Sequence, residues 1–420
     1  MPQGWTPTRI GNICKTNQRT YSVAEKWPFV NYLDTGNITE NRVGDIQHIV
    51  IGQDTLPSRA RRKVAVDDII YSTVRPNQRH YGIVRDVLPN MLVSTGFTVI
   101  TVDKEKADSD FLYYYLTQSE IVDSLHAIGE QSVSAYPSIK PSDIERVELD
   151  LPPLPEQVEI GHTLRALDDK IANNTKINNH LEQMAQAIFK SWFVDFEPFG
   201  GVMPDEWREG TFSDIISATI GGDWGKDAPT GNNTQEAYCI RGADIPDVNA
   251  GNKGKMPIRY ILPKNYAVKQ LMVGDIVVEI SGGSPTQSTG RCALITQSLL
   301  DRYDRGMVCT NFCRAVKPLF GYSSFVYFYW KYLYSESVMF SYENGTTGIK
   351  NLDISGFLGT EPIIIPPVEV VHQFTDTVGT LIDTVFANGL ENETLATTRN
   401  VLLPRLMSGE LSVTDLGDAK

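Results

Sequence analysis

The feature that most constrains the fold of this 420-residue chain is a helical pattern that occurs twice, 214 residues apart. Most of its positions are spaced three or four residues apart, which places side chains along one seam of a helix. Apolar residues correspond to apolar residues, and two asparagines occupy the middle of each copy. The repeat predicts two related halves, each ending in a long helix. The seam positions are Leu164, Leu167, Ile171, Asn174, Asn178, Leu181, Ile188 and Trp192 in the first copy, and Val378, Leu381, Val385, Asn388, Asn392, Leu395, Leu402 and Leu406 in the second.

Proline and glycine residues mark the predicted ends of both helices. Pro155 suits the first turn of a helix, so the first helix is predicted from Glu156 to Trp192, with Gly200-Gly201 closing the segment. A helix of about 37 residues spans about 55 Å at 1.5 Å per residue. The second helix is predicted from about Val370 to Leu403, and Pro404 is expected to end or kink it.

Two such helices in one chain are expected to pack on each other. A large domain lies between them, which favours an antiparallel pair with the two domains at opposite ends. Asn174 and Asn178 would then face Asn388 and Asn392 and form a polar layer that sets the register at some expense in stability. The alternative is that these asparagines face solvent.

The segments that precede the two helices also resemble each other. Runs of β-branched residues, Ile69–Val74 and Ile276–Ile280, are predicted as buried strands, whereas Phe111–Ile121 and Phe325–Tyr334 are predicted as amphipathic helices. Each segment is therefore predicted to be a loop-rich α/β domain. The correspondences, in chain order, are Trp5 with Trp207, Asp68-Ile69 with Asp275-Ile276, Phe97 with Phe312, and Phe111–Leu116 with Phe325–Trp330.

The predicted fold class is α/β (α+β), with two tandem-repeat globular domains joined by two long helices in a pseudo-two-fold molecule. The antiparallel helices would form a pair like a coiled coil. The predicted boundaries are 1–151 for the first domain, 152–200 for the central helix, 201–365 for the second domain, 366–411 for the C-terminal helix and 412–420 for a tail.

The net charge of −13 argues at first against a nucleic-acid ligand, but its distribution changes that conclusion. Residues 1–150 carry 16 basic and 19 acidic side chains, and residues 210–365 carry 14 of each, so the acidity belongs to the helical segments. The longest apolar stretch, Phe325 to Trp330, is far shorter than a membrane span. The start of the chain lacks the pattern of a signal peptide, and the five cysteines lack paired spacing. We expect a cytoplasmic protein with reduced thiols and no membrane partner.

Candidate DNA contacts cluster around the loop that follows the first predicted strand. Arginine pairs with guanine, and asparagine or glutamine with adenine, through two hydrogen bonds each. Nearby basic residues suit phosphate contacts, which position DNA without reading its sequence. The alternative is an ordinary polar turn. The predicted base contacts are Arg75, Asn77, Gln78, Arg79 and His80, the predicted phosphate contacts are Arg59, Arg61, Arg62 and Lys63, and the repeat adds Ser281, Ser284, Thr286, Gln287 and Arg291 in the second domain.

Several motifs resemble the specificity subunits of type I restriction–modification systems, and they occur in the family's order along the whole chain. The second hinge, Ile365–Val371, departs from the pattern because it lacks the Glu-Gln of the first hinge. The motifs are Leu151-Pro-Pro-Leu-Pro-Glu-Gln157, Leu167-Asp-Asp-Lys-Ile171, Ala187-Ile-Phe-Lys-Ser-Trp-Phe-Val-Asp-Phe196 and Leu402-Leu-Pro-Arg-Leu-Met-Ser-Gly-Glu-Leu411.

The resemblance implies a DNA-recognition subunit without catalysis or a cofactor of its own. Each domain would read one half of a bipartite, asymmetric sequence in double-stranded DNA, while the helices set the spacing. The implied partners are two methyltransferase subunits, which bind S-adenosylmethionine, and restriction or translocase subunits, which use ATP and Mg²⁺. The residues agree, since Gly282-Gly283 is not followed by the Gly-Lys-Ser/Thr of a P-loop and the histidines are scattered. The rival interpretation is a helical scaffold or adaptor that does not bind DNA.

Overall fold

The computed structural model describes residues 3–132, 136–284, 286–345 and 350–413. They divide into two compact units, one of Met1–Asp169 with Leu395–Lys420 and one of Lys170–Thr394. Residues 414–420 of the predicted tail lie outside the described residues. Each unit combines a mixed globular domain with parts of two long helices, which confirms the predicted fold class.

The first globular domain is built from short strands, with helices placed mainly in its second half. Its strands are β1 (Thr6–Arg9), β2 (Cys14–Thr16), β3 (Phe29–Leu33), β4 (Ile38–Thr39), β5 (Arg42–Val43), β6 (Gln47–Val50), β7 (Ala60–Lys63), β8 (Ile69–Ser72), β9 (Tyr81–Ile83), β10 (Met91–Ser94), β11 (Phe97–Val102) and β12 (Glu148–Leu151). Its helices are α1 (Ile10–Ile13), α2 (Ser109–Thr117), α3 (Ser119–Glu130) and α4 (Pro141–Glu145).

Two sheets organise this domain. One is antiparallel in the order β2-β11-β8-β9, and the other has the order β6-β3-β10-β7, in which β10 runs parallel to β3. Strand β1 pairs with β12, so the start and the end of the domain meet at Thr6 and Leu151. The fully buried residues Ile69, Phe111 and Leu112 belong to one core cluster, which joins the first sheet to α2. This core holds the β8–β9 hairpin in place.

The helix predicted over Phe111–Ile121 is two helices in the structure. Gln118 ends α2 with an extended conformation (φ −58°, ψ 139°), and its backbone N–H bonds to the Tyr115 carbonyl. The prediction was therefore wrong at this point. The sequence suggests one helix because apolar residues continue at helical spacing on both sides of the break. Leu116 and Val122, on either side of Gln118, are both fully buried.

The two long helices are α5 (Leu154–Phe193) and α11 (Val368–Met407), and each contains 40 residues. Both are longer at their starts than the sequence predicted, and α5 ends at Phe193, before Gly200-Gly201. Pro404 was expected to end or kink the second helix; it lies inside α11, so the helix does not end at Leu403 as predicted. A proline in a helix interior loses one backbone hydrogen bond. The helix continues because Leu406 and Met407 enter the buried core of the first unit.

The second globular domain lies between these helices in the chain. Its strands are β13 (Arg208–Thr211), β14 (Ile216–Gly221), β15 (Gln235–Ile240), β16 (Ile258–Ile261), β17 (Ile276–Glu279), β18 (Ser281–Gly282), β19 (Cys292–Leu294), β20 (Met307–Cys309), β21 (Cys313–Pro318), β22 (Glu343–Asn344), β23 (Lys350–Leu352) and β24 (Pro362–Ile365). Its helices are α6 (Ile245–Asn249), α7 (Pro263–Lys269), α8 (Gln297–Leu300), α9 (Ser323–Ser335) and α10 (Ile354–Thr360).

The sheets of the second domain repeat those of the first. The order β14-β21-β17-β19 matches β2-β11-β8-β9, the order β16-β15-β20 matches β6-β3-β10, and β13-β24 matches β1-β12. Strand β20 also runs parallel to β15, as β10 does to β3. The chain is thus an internal repeat at the level of strand topology.

The strand register corrects one predicted correspondence. Ile100 lies opposite Ile69 in the first domain, and Val316 lies opposite Ile276 in the second. Counting back along the strands, Phe97 corresponds to Cys313 rather than to Phe312. Burial agrees, because Phe97 is 1% exposed whereas Phe312 is 59% exposed.

In the second unit, α5 and α11 pack through aromatic side chains. Phe189 is fully buried, and its ring lies 5.3 Å from that of Phe193, 5.9 Å from Phe374 and 5.4 Å from Tyr329 of α9. The cluster therefore joins both helices to the second domain. Within the described residues, the structure contains no helix that is long and apolar enough to cross a membrane.

We predict that Phe189→Ala lowers the stability of the chain by about 3–5 kcal/mol, because it removes a buried ring and leaves a cavity. Urea unfolding followed by tryptophan fluorescence measures the change. Met184→Ala is the matched control, since Met184 lies on the same helix and is 52% exposed. Equal effects of the two substitutions would show that Phe189 does not hold this core together.

Candidate nucleic-acid interface

Each domain presents a loop at the same place in its antiparallel sheet. Loop 1 (residues 73–80) connects β8 to β9, and loop 2 (residues 280–291) connects β17 to β19. In each sheet these two strands lie at one edge, next to the long central strand. The structure thus brings the predicted base-contact residues of each domain into one loop.

Loop 1 has an unusual backbone at two arginines. Arg75 (φ 47°) and Arg79 (φ 57°) are both left-handed and flank a 3₁₀ turn, Pro76–Gln78. Such a conformation costs a non-glycine residue roughly 1 kcal/mol or more, and it persists only where the surroundings impose it. In this backbone conformation, Asn77 and Gln78 are exposed at the tip of the loop.

The remaining side chains of loop 1 bind to the domain itself. The guanidinium of Arg75 lies 4.6 Å from the ring centre of Tyr136. Arg79 donates to the hydroxyl of Ser119 at 3.0 Å and to a carboxylate oxygen of Glu40 at 3.4 Å. Although burial disfavours its charge, the neighbouring Tyr81 and Glu40 raise the pKa of Arg79, which therefore stays cationic.

His80 is also held by the domain, since its Nδ1 lies 2.6 Å from the carbonyl oxygen of Ile38. Arg79 and His80 thus support the loop, whereas Asn77 and Gln78 are its free tip. Tyr136, which the sequence reasoning missed, supports Arg75 from a distant segment of the chain. Its sequence surroundings contain no pattern that would have indicated this contact.

The predicted phosphate contacts lie on or beside strand β7. Arg59 is exposed, whereas Arg61, Arg62 and Lys63 are half-buried. The ammonium of Lys63 forms an ion pair with Glu25 and lies 5.0 Å from the ring centre of Trp27. Lys63 is therefore partly neutralised within the domain, and the three arginines are the better phosphate contacts.

The turn between β10 and β11 connects this basic strand to loop 1. The backbone N–H of Thr95 donates to the Arg59 carbonyl at 2.8 Å, and that of Thr73 donates to the Gly96 carbonyl at 2.8 Å. Arg59 and loop 1 thus lie on either side of one short turn. The backbone of the β10–β11 turn thus links the segment that carries the basic residues to loop 1.

Loop 2 is held by contacts different from those of loop 1. The hydroxyl of Ser281 donates to the side-chain carbonyl of Asn351 on β23, and Ser284 accepts from the backbone N–H of Gln287 at 3.0 Å. Thr286 and Gln287 remain exposed. Two glycines of the loop have positive φ, 154° at Gly282 and 76° at Gly283. Pro285 lies outside the described residues.

Arg291 does not belong to the exposed part of loop 2. Its guanidinium donates to both carboxylate oxygens of Glu279, at 2.8 and 2.7 Å, and Glu279 is 6% exposed. These hydrogen bonds raise the pKa of Arg291. The ion pair neutralises a buried carboxylate, which gives Arg291 a structural role, and its predicted DNA contact stays a prediction.

A short hairpin, β22–β23, packs against loop 2 and was missed in the sequence. Glu343 accepts from the N–H and the hydroxyl of Thr289, at 2.6 and 3.0 Å, and pairs with Lys350 at 2.7 Å. Asn344 is the last residue of β22 and is followed by Gly345. An Asn-Gly dipeptide is a known hairpin signal. That dipeptide could have indicated the hairpin.

The helix seam contains the predicted polar layer, and in the second unit its asparagines lie against one another. Asn174 donates to the side-chain oxygen of Asn392 at 2.9 Å, and Asn388 donates to that of Asn178 at 2.8 Å. Asn174 and Asn178 are only 1% and 3% exposed. Every other seam residue is buried or half-buried. The pairing runs in opposite directions along α5 and α11, so these segments are antiparallel.

Comparison with known proteins identifies this arrangement. A family described as type I restriction modification DNA specificity domain matches residues 2–183. The HindI specificity subunit of Haemophilus influenzae is 25% identical, covering 97% of this chain and 99% of that protein. The MjaIX specificity subunit of Methanocaldococcus jannaschii is also 25% identical, covering 99% and 95%.

A solved structure described as a type I restriction–modification S subunit from M. genitalium shares the fold. Its TM-score is 0.55, with 16% identity over 96% of each chain. Over nearly its whole length this chain is therefore similar to type I restriction enzyme specificity subunits, and residues 2–183 match the DNA specificity domain of such systems. These findings support recognition of a DNA sequence as its role. The scaffold interpretation is therefore not favoured.

We predict that Arg291→Ala destabilises the protein by up to about 3 kcal/mol, because it leaves the buried carboxylate of Glu279 without its partner. Gln287→Ala, at an exposed position of the same loop, should change stability by no more than about 0.5 kcal/mol. Urea unfolding of both variants measures the difference. A fully stable Arg291→Ala protein with altered sequence recognition would instead restore the role predicted from the sequence.

Proposed function

We propose that each globular domain reads one half of a bipartite, asymmetric DNA sequence through the tip of its loop. In the first domain the contacts to base edges would come from Asn77 and Gln78, with Arg59, Arg61 and Arg62 on phosphates. In the second domain they would come from Thr286 and Gln287, supported by Ser281 and Ser284. The observation that carries this proposal is the recurrence of an exposed polar tip between equivalent strands of two matching sheets.

The helix pair is proposed to set the distance between the two half-sites and to bind two methyltransferase subunits. A 40-residue helix is about 60 Å long, enough to separate two readers by a helical turn of DNA, about 34–36 Å. Apolar side chains exposed on these helices favour protein partners rather than DNA. They are Val158, Ile177 and Met184 on α5, and Leu390 and Val401 on α11.

In this proposal the chain itself needs no cofactor. The methyltransferase subunits would bind S-adenosylmethionine and methylate adenine, and restriction or translocase subunits with ATP and Mg²⁺ would complete the system. The assembly would act in the cytoplasm, where a bacterial chromosome is accessible. The net charge of −13 gives the isolated chain little non-specific attraction to DNA, so tight binding is expected only in the complex.

Co-expression of the chain with the methyltransferase subunit encoded beside it, followed by mapping of methyl-adenine across the host genome, tests the function. We expect one split sequence with a fixed gap, which is lost when this chain is omitted. If a complex forms and binds S-adenosylmethionine but methylates no split sequence, the proposal is wrong.

We predict that Gln78→Ala and Gln287→Ala relax opposite halves of the methylated sequence. A side chain that makes two hydrogen bonds to a base contributes roughly 1–3 kcal/mol of discrimination, so each variant should lose about 5- to 150-fold selectivity at one position. Each variant is the control for the other in the same methylation map. Uniform loss of methylation, or relaxation of the same half by both, would contradict the assignment of one domain to each half.

We further predict that a four-residue insertion in both long helices widens the gap in the target. Four residues lengthen a helix by about 6 Å, close to the rise of two base pairs. The insertions are placed at matched exposed positions of the two helices. One added turn in each helix returns the following seam residues to nearly the same face of the helix. An unchanged gap in the methylation map would show that these helices do not measure the distance.

A further inference from the structure

Two glycines of the second unit lie at positions that constrain the residue type in different ways. Gly389 lies in the interior of α11, where glycine costs roughly 1 kcal/mol relative to alanine. Gly251, just after α6, has a left-handed backbone with φ 81°. Their closeness in space explains both, since the backbone of Gly251 lies directly against Gly389.

This contact leaves no room for a side chain on either partner. A methyl group on Gly389 would overlap the carbonyl group of Gly251, and one on Gly251 would overlap the carbonyl oxygen of Val385. The backbone of the second domain therefore touches the backbone of α11 without any side chain between them. By contrast, Gly379, also inside α11, has open space around it.

Polar groups hold the same loop from both sides. The amide nitrogen of Asn178 donates to the Ala250 carbonyl at 3.1 Å and to the Val385 carbonyl at 3.0 Å. From the second domain, Arg302 donates to the Gly251 carbonyl and pairs with Glu393 of α11 at 2.8 Å. The side chain of Arg302 is only 7% exposed, whereas that of Glu393 is 46% exposed, so the guanidinium is shielded although its partner carboxylate faces solvent.

The loop is the end of the domain's attachment that lies farthest from the aromatic cluster. That cluster is centred on Phe189, and Asn178 lies eleven residues earlier on α5, about 16 Å along the helix. Lys331 of α9 also pairs with Glu182 of α5, and Phe386 of α11 packs into the second-domain core. The loop extends this attachment, and a longer span of attachment opposes a tilt of the domain more strongly. A tilt that moves loop 2 by about 3.4 Å would shift it by one base pair.

We propose that Asn178, Ala250-Gly251, Arg302 and Gly389 form a midpoint clamp, which fixes the tilt of the second domain on the helices and so restricts the accepted gap to one length. These are positioning residues, and none of them touches DNA. The inference rests on the proposed function, because a gap has meaning only if the chain reads two half-sites.

Gly389→Ala tests the midpoint clamp without weakening the helix, because alanine favours a helix and only its methyl group displaces the loop. The variant is co-expressed with the methyltransferase subunit, and methyl-adenine is mapped. We expect methylation of sites whose gap is one base pair longer or shorter to rise about tenfold relative to the preferred gap, which corresponds to ~1.4 kcal/mol of lost discrimination. Recognition of both half-sites should be unchanged.

Gly379→Ala is the matched control and should keep the single gap. Arg302→Ala removes the hydrogen bond to Gly251 and the ion pair with Glu393. It should therefore raise methylation of sites with a longer or shorter gap, as Gly389→Ala does. General destabilisation would lower methylation of all sites equally, and urea unfolding of each complex detects it. A single unchanged gap in both Gly389→Ala and Arg302→Ala would overturn the midpoint clamp, whereas the absence of any split sequence with the unaltered chain would overturn the proposed function instead.

Discussion

The buried asparagine layer is the interaction on which the arrangement of the long helices depends. Asn174 donates to Asn392, and Asn388 donates to Asn178, and three of these four side chains are buried. A buried polar group left without a partner costs about 1–3 kcal/mol, so any slip of one helix along the other is penalised at several groups at once. An all-leucine seam would pack as well in more than one register. The layer therefore contributes specificity more than stability.

The two units use different chemistry at matching positions, although their strands repeat. In the first unit Asp168 accepts from the Tyr114 hydroxyl at 2.7 Å and pairs with Arg399. The same positions in the second unit, counted through the 214-residue repeat, are Ile382, Phe328 and Ala185, which belong to an apolar cluster. The repeat thus preserves geometry while it changes the interaction. Because the contacts at equivalent positions differ, each half of the chain is distinguished from the other during folding.

The sequence predicted those contacts that follow from a periodic pattern of apolar residues, and it did not predict the others. The seam and the antiparallel pairing of the asparagines were predictable because burial repeats every three or four residues. The end of α11 was not, since burial of Leu406 and Met407 outweighs the cost of Pro404. The role of Arg291 was missed for a similar reason. Its partner Glu279 lies across a loop, and nothing in the spacing distinguishes an arginine that binds a buried carboxylate from one that faces DNA.

The loops show why rigid support and variable recognition can coexist in one scaffold. In loop 1 the left-handed arginines are held by Tyr136 and Glu40, so the domain itself supports the backbone on both sides of the tip. In loop 2 the β22–β23 hairpin and the hydroxyl of Ser284 support a tip of different composition. Because the supports lie outside the tips, a tip residue can change without loss of the fold. Two unlike tips on matching sheets would then read unlike half-sites, which makes the target asymmetric although the scaffold is repeated.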